Sequence, residues 1–125
     1  MSQKTILIIE ADDSLRQLLC HMLKKTYEVI SLKSGEEAIY WLAEGHIPDV
    51  VLMESILCGM TAGEVVEYLR VSGIYRETPI LLLAGRTEEN AGRQLLLSGA
   101  NALLAKPFNP EELHKQLDAL IQSVG

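Results

Sequence analysis

Short, almost wholly apolar runs alternate along this chain with longer segments of helical period, and that alternation restricts the fold more than any other feature. The runs "TILII" (5–9), "DVVLM" (49–53) and "PILLL" (79–83) read as strands buried on both faces, because a half-exposed strand would alternate polar and apolar residues. "YEVISL" (27–32) and "NALLA" (101–105) supply a second and a short fifth strand. Between them lie helices. "DDSLRQLLCHMLKK" places Leu15, Leu18, Leu19 and Met22 on one stripe, with Asp12 or Asp13 as its cap. "SGEEAIYWLAEG" begins on Ser34 as a cap and is ended by Gly45 and Pro48. A third helix is expected over 62–69 and a fourth over 88–98. "NPEELHKQLDALIQSV" (109–124) opens with Asn109 as cap and Pro110 in the first helical position, a strong start signal. Five βα units with no linker, repeat or low-complexity stretch predict one α/β domain over 1–125, a parallel sheet with helices on both faces.

The bulk properties narrow the function. A chain of 125 residues can bury a core without disulfide or metal staples. Its 11 basic and 17 acidic residues give a net charge of -6, and apart from adjacent Lys24 and Lys25 the basic residues are scattered, which disfavours direct binding to nucleic acid or an anionic membrane. Cys20 and Cys58 form no CxxC, and His21, His46 and His114 lie far apart, so neither a zinc site nor a disulfide framework is expected. The apolar run in "MSQKTILII" is too short for a signal peptide, and none approaches a membrane span; the expected setting is cytoplasmic.

One stretch stands out. In "VVLMESILCGM" four apolar residues run straight into Glu54, and a buried unpaired charge is expensive, so that carboxylate must have a partner or stand at the mouth of a site. In open parallel sheets, sites lie beyond the carboxyl ends of the strands. Glu10, Glu54, Ala84 and Lys106 then converge from four strand ends, with Glu54 expected on the rim of the pocket.

The segments "ILIIEADDSLRQLL", "PDVVLMESILCGMTAGEVVEYLR", "TPILLLAG" and "GANALLAKPFNPEEL" together give a sequence that resembles the receiver domain of two-component response regulators over essentially its whole length. The resemblance implies a flavodoxin-like, doubly wound (βα)5 fold with strand order 2-1-3-4-5. It also implies a site at which a phosphohistidine donates a phosphoryl group to an aspartate after strand three. In that family an acidic pair after strand one holds Mg²⁺, a hydroxyl after strand four binds a phosphoryl oxygen, and a lysine before proline pairs with the phosphate; such a transfer needs its charge neutralised and its oxygens oriented.

This chain departs from that pattern. The phosphoacceptor position holds Glu54, the acidic pair reads Glu10-Ala11, the hydroxyl position holds Ala84, and the aromatic switch on strand five falls on Leu103; Lys106 and Glu10 remain. The expectation is therefore an atypical receiver, not an enzyme, that acts independently of phosphorylation as a protein-interaction module. Its Mg²⁺ binding should be weakened or absent, with no other cofactor. Its partners, an output domain, a kinase or another regulator, would meet the face of helix four, strand five and helix five, and a homodimer is a further expectation. The alternative is a phosphorelay receiver that still accepts a phosphoryl group on Glu54, Asp12 or Ser55.

Several residues keep two readings. Glu54 reaches about 1.5 Å further than aspartate, so it either mimics the phosphorylated acid against Lys106 or merely forms an ion pair at a dead site. Asp12 reads as a helix cap ahead of a metal ligand. Lys106 reads as the partner of Glu10 and Glu54 rather than a catalytic lysine, since no nucleophile and base stand nearby. The bond before Pro107 is often cis in the family. Cys58 reads as a small apolar filler ahead of a reactive thiol. Of Leu95, Leu96 and Leu97, either two are core and the third incidental, or part of the run forms a partner surface. "GMTAG" (59–63) lacks the spacing of a phosphate-binding loop.

Overall fold

A computed structural model describes residues 3–123. Five strands alternate with five α-helices: β1 (Thr5–Ile9), α1 (Asp13–Leu23), β2 (Glu28–Leu32), α2 (Gly35–Ala43), β3 (Val50–Glu54), α3 (Ala62–Val71), β4 (Ile80–Ala84), α4 (Glu89–Ser98), β5 (Ala102–Ala105) and α5 (Pro110–Ser123). All pairings are parallel and the strand order is β2-β1-β3-β4-β5, the flavodoxin-like arrangement expected. The three strands that read as wholly apolar are the three interior ones. β3 and β4 are buried at every position, whereas edge strands β2 and β5 keep partly exposed residues.

The period of two along each strand divides the core. Leu7, Ile9, Val51, Met53, Ile80 and Leu82 pack on one face with α2, α3 and α4. Ile6, Ile8, Val50, Leu52, Leu81 and Leu83 pack on the other with α1 and α5. Helix starts follow the expected chemistry: Asp12 accepts from the Leu15 amide, Ser34 from the Glu37 amide and Asn109 from the Glu112 amide. Thr61 and Glu64 form a capping box at α3 that sequence reading did not single out. Gly45, at φ +98°, turns the chain out of α2 as a left-handed glycine does.

Four expectations are corrected. β3 starts at Val50, one residue later than the expected run, and ends on Glu54 as expected. α4 is preceded by a separate 3-10 turn over Arg86–Glu88. On α1 the residues that sink fully are Leu19 and Leu23, while Leu18 is 53 % exposed. Cys58 is exposed and so fills no core space. The last helix was expected to reach Val124, which lies outside the described residues. The Leu95–Leu97 run resolves as Leu95 buried, Leu96 packed at the core edge and Leu97 turned outward.

Candidate functional site

β1 and β3 are neighbours in the register Ile8↔Leu52 and Ile9↔Met53, so the residues that follow, Glu10 and Glu54, stand side by side. By the same alternation both belong to the α1 side of the sheet, continuing the line of Ile6 and Ile8 and of Val50 and Leu52. Two strands thus deliver two carboxyl groups to one spot. On the other side of β3, Ala84 pairs with Ala105, and the next residue, Lys106, binds Ala84 O through its amide at 2.9 Å. The Lys106–Pro107 peptide is cis.

The sequence expectation of convergence holds for Glu10, Glu54 and Lys106, which line one cleft of about 570 Å³ with Ala11 and Asp12. Glu54 differs from its expected place: it is 5 % exposed and forms the cleft floor rather than its rim, because the strand continues through it. Glu10 is buried to the same degree. Its Oε2 accepts from the Asp12 amide at 3.0 Å, while Oε1 finds no donor. Lys106 Nζ contacts Glu54 Oε1 as an ion pair, so that oxygen has its partner. Buried polar atoms in native proteins are nearly always paired, and Glu10 Oε1, without a donor, marks this cleft out.

Burial, together with the neighbouring Glu10 carboxyl, pushes Glu54 up to about 8, against the opposing pull of Lys106. Two carboxylates and one ammonium leave one negative charge in excess.

Other expected residues are brought near but differently used. Asp12 is exposed, and its Oδ1 is spent on the α1 cap. Ser55 is buried, with its hydroxyl donating to Leu83 O at 2.9 Å. Ala84 is fully buried and offers only a methyl group. Leu103 lies away from the cleft, on the opposite face, where it packs over Gly92 of α4 so closely that a Cβ there would stand 3.0 Å from its methyls. Among the described residues no group of three or more His, Cys, Asp or Glu side chains is placed to share a metal ion.

Sequence reading missed part of the cleft wall. Leu15 and Leu18 of α1 and Ile56 after β3 form an apolar flank, and Glu88 closes the far side. Glu88 was invisible because its place depends on the 3-10 turn, in which its Oε1 accepts from the Gly85 amide at 2.9 Å. A second hollow, of about 340 Å³, opens at the other end of the sheet beside Asp49, Thr78 and Pro79. No orphaned buried side-chain atom lines it among the described residues.

Comparison with known proteins agrees with this geometry. The sequence profile described as "Response regulator receiver domain" matches residues 6–118. The chain is 25 % identical over 123 residues to the phosphate regulon transcriptional regulatory protein PhoB of Escherichia coli, covering 98 % of this chain and 53 % of that protein. It therefore spans about half the length of such curated relatives. Among solved structures, chemotaxis response regulator CheY4 of Vibrio cholerae superposes with a TM-score of 0.83 at 32 % identity, over 95 % of this chain and 99 % of that one. The receiver domain of a sensor histidine kinase from Pseudomonas aeruginosa, solved with a magnesium ion coordinated in its active-site cleft, gives 0.87 at 26 % identity, over 97 % and 99 %. Profile, relatives and strand order agree, and the chain belongs to the response regulator receiver domain family of two-component signalling.

Proposed function

We propose that this receiver domain works without the aspartyl-phosphate cycle, as a cytoplasmic protein-interaction module with no enzymatic activity of its own, held in one conformation by the contact between Glu54 and Lys106. That contact is the observation that carries the reading, because the lysine that would meet an incoming phosphoryl group is already engaged. Glu54 stands in the phosphoacceptor's place, Ala84 in that of the orienting hydroxyl, and Leu103 in that of the aromatic switch. Two of the three cannot do what the family's residue does there: Ala84 donates no hydrogen bond, and Leu103 has no ring to turn.

Mg²⁺ binding is weakened on this reading: Glu10 and Glu54 could each supply a carboxylate oxygen, with waters completing the octahedron, but Ala11 contributes only a methyl group where the family has a second acid, and the Lys106 ammonium rests on Glu54. The cleft of the Pseudomonas aeruginosa receiver holds that ion.

Receiver domains interact with kinases and output domains. For this chain the surface we assign to such partners is that of α4, β5 and α5, where Leu97 is 84 % exposed. A homodimer through this face falls under the same reading.

Intact-mass measurement after incubation with Mg²⁺ and a small phosphodonor tests the proposal, with a metal-free control and a conventional receiver alongside. No mass change is expected. A metal-dependent gain of one phosphoryl group overturns it and favours the phosphorelay reading, with the acceptor mapped first at Glu54, then at Asp12 and Ser55.

A further inference from the structure

Helix α2 and its cap carry three glutamates and no lysine or arginine from Gly35 to Glu44. Glu36 and Glu37 stand in the first turn, where the helix dipole favours a carboxylate, but Glu44 is the C-cap, where the same dipole opposes one. The fold gives these charges little compensation. The ion pairs among the described residues join Arg16 to Asp13, Lys106 to Glu54 and His46 to Glu44, the last at 3.7 Å with both side chains half exposed. Lys33, just before the helix, gives its amide to Glu37 at 2.8 Å, while its side chain draws on Asp13 of α1. Glu36 likewise accepts from the Met60 amide at 3.0 Å. Each of these two carboxylates is thus held by one oxygen, and its other oxygen has no donor among the described residues.

Between the acids lies a hollow of about 420 Å³, lined by Leu32, Tyr40 and Trp41 as well as the three glutamates. Tyr40, 72 % exposed, is the one exposed aromatic side chain among the described residues. Trp41 is half-buried and steadied by stacking on His46, with ring centroids 4.5 Å apart and planes 10° from parallel. Rings in an acidic setting suit a cationic side chain with an aliphatic stem, which can lie on a ring face while its head meets a carboxylate. Other occupants fit poorly. An anion is repelled, and a purely apolar partner would cover three carboxylates without a counter-charge. Among the described residues no three acids are placed to share a metal ion. From Glu36 to Glu44 the helix rises about 12 Å, too far for one head group to serve both ends. In an extended chain two side chains four residues apart point the same way and stand roughly 13 Å apart, with one more between them.

We propose that the outer face of α2 is a docking groove for an extended basic segment of a partner protein. One cationic side chain of that segment meets Glu36 and Glu37, a second meets Glu44, and an apolar residue between them rests on Tyr40 and Trp41. This surface is separate from that of α4, β5 and α5, and it stands whether or not Glu54 accepts a phosphoryl group.

The test is a nuclear magnetic resonance titration of the intact chain, at low salt, with three acetylated and amidated peptides of sequence RALAR, AALAA and EALAE. RALAR should shift the amides of Glu36, Glu37, Tyr40 and Glu44 and the Trp41 indole N–H saturably, with affinity that falls as salt is added. The neutral and acidic peptides should not. Glu44→Gln should weaken RALAR binding by about threefold to fivefold, the loss expected for one exposed ion pair, and Glu44→Lys by more. Tyr40→Ser should weaken it by a similar factor. Both positions are exposed, so an unchanged urea midpoint separates lost contact from lost fold. Equal shifts from AALAA overturn the proposal in favour of an apolar groove indifferent to charge. Binding of RALAR that survives Glu44→Lys, or shifts that map away from α2, overturn it in favour of diffuse attraction to an acidic chain. No saturable response to RALAR overturns it outright.

Discussion

The two ends of this sheet handle polar side chains in different ways. At the end where the strands begin, Asp49 Oδ2 accepts from the Thr5 amide at 2.7 Å. Asn101 Oδ1 there accepts both from the Ile80 amide at 2.7 Å and from Arg70 Nη2 at 2.9 Å. Arg70 is in turn anchored on Gly99 O at 2.8 Å and Arg76 O at 3.2 Å. Each of these side chains ties one strand start to its neighbours. At the end where the strands finish, Glu10 and Glu54 are more deeply buried, Glu54 meets only Lys106, and Glu10 Oε1 has no donor. A polar group satisfied by its own fold contributes stability; one left open after burial costs stability and marks a place where something else binds.

If that contrast is right, deleting polar groups at the two ends must have opposite signs. The largest effect is expected at the satisfied end. Asn101→Ala leaves the Ile80 amide, which is fully buried, and one Arg70 donor without their acceptor. A loss of about 1–3 kcal/mol is expected in urea unfolding at pH 7. A loss below the error of the measurement would break the comparison, since the network would then be ornamental.

At the open end the effect should be a gain. Glu54 is raised in the folded chain from 4.5 to about 8, so the native state holds a proton that the unfolded chain has released. Between these two values the native state binds more protons, and stability falls as pH rises, levelling off above about 8. Glu54→Gln removes that ionisation and keeps the shape. It should leave stability near pH 4 almost unchanged and raise it by about 1–3 kcal/mol at pH 9. The wild-type-minus-variant difference across pH, from urea midpoints at constant slope, isolates this group from all others. A variant less stable than the wild type at pH 9 would mean that the Lys106 ion pair outweighs burial and Glu10, and the two ends would no longer differ in kind.

How far the sequence foretold this contrast depends on the range of the interaction. Strand existence, helix caps at Asp12, Ser34 and Asn109, and the helix stop at Gly45 rest on neighbours within four residues and were legible in the chain. Glu10, Glu54 and Lys106 were legible as strand ends that converge, and the Glu54–Lys106 pair with them, but not the depth of burial of the two carboxyl groups. That needs the β1–β3 register, which brings together residues 44 positions apart and is a property of the sheet. The apolar run of strand three stops at Met53, yet Glu54 was legible as the strand's end. In the fold the ladder with β4 runs on through the pair Glu54↔Leu83, and pairing overrides polarity. Leu18 shares the α1 stripe with Leu15, Leu19 and Met22 but is 53 % exposed. The stripe is wide enough to hold residues that face the cleft, and periodicity cannot separate those from residues that face the sheet. The Arg70–Asn101 tie spans 31 residues and carries no local signal at all.

The smallest stability effect is expected where the chain is neither satisfied nor open but simply exposed. Leu97 sits on α4 beside Leu95, which is buried, and Leu96, which packs at the core edge, and it is itself 84 % exposed. Leu97→Ser removes apolar surface that already meets water, so unfolding free energy should change by less than about 0.5 kcal/mol. It keeps the helix, because serine costs only a few tenths of a kcal/mol, roughly, at a surface helical position. Leu95→Ser on the same helix is the control, since it places a hydroxyl in the core and should cost several times more. If the α4 face carries the partner, Leu97→Ser should weaken association with that protein while the urea midpoint stays put. Association unchanged in Leu97→Ser but lost in Glu54→Gln would move the recognition surface from the α4 face to the cleft, which is the end of the sheet that burial left unfinished.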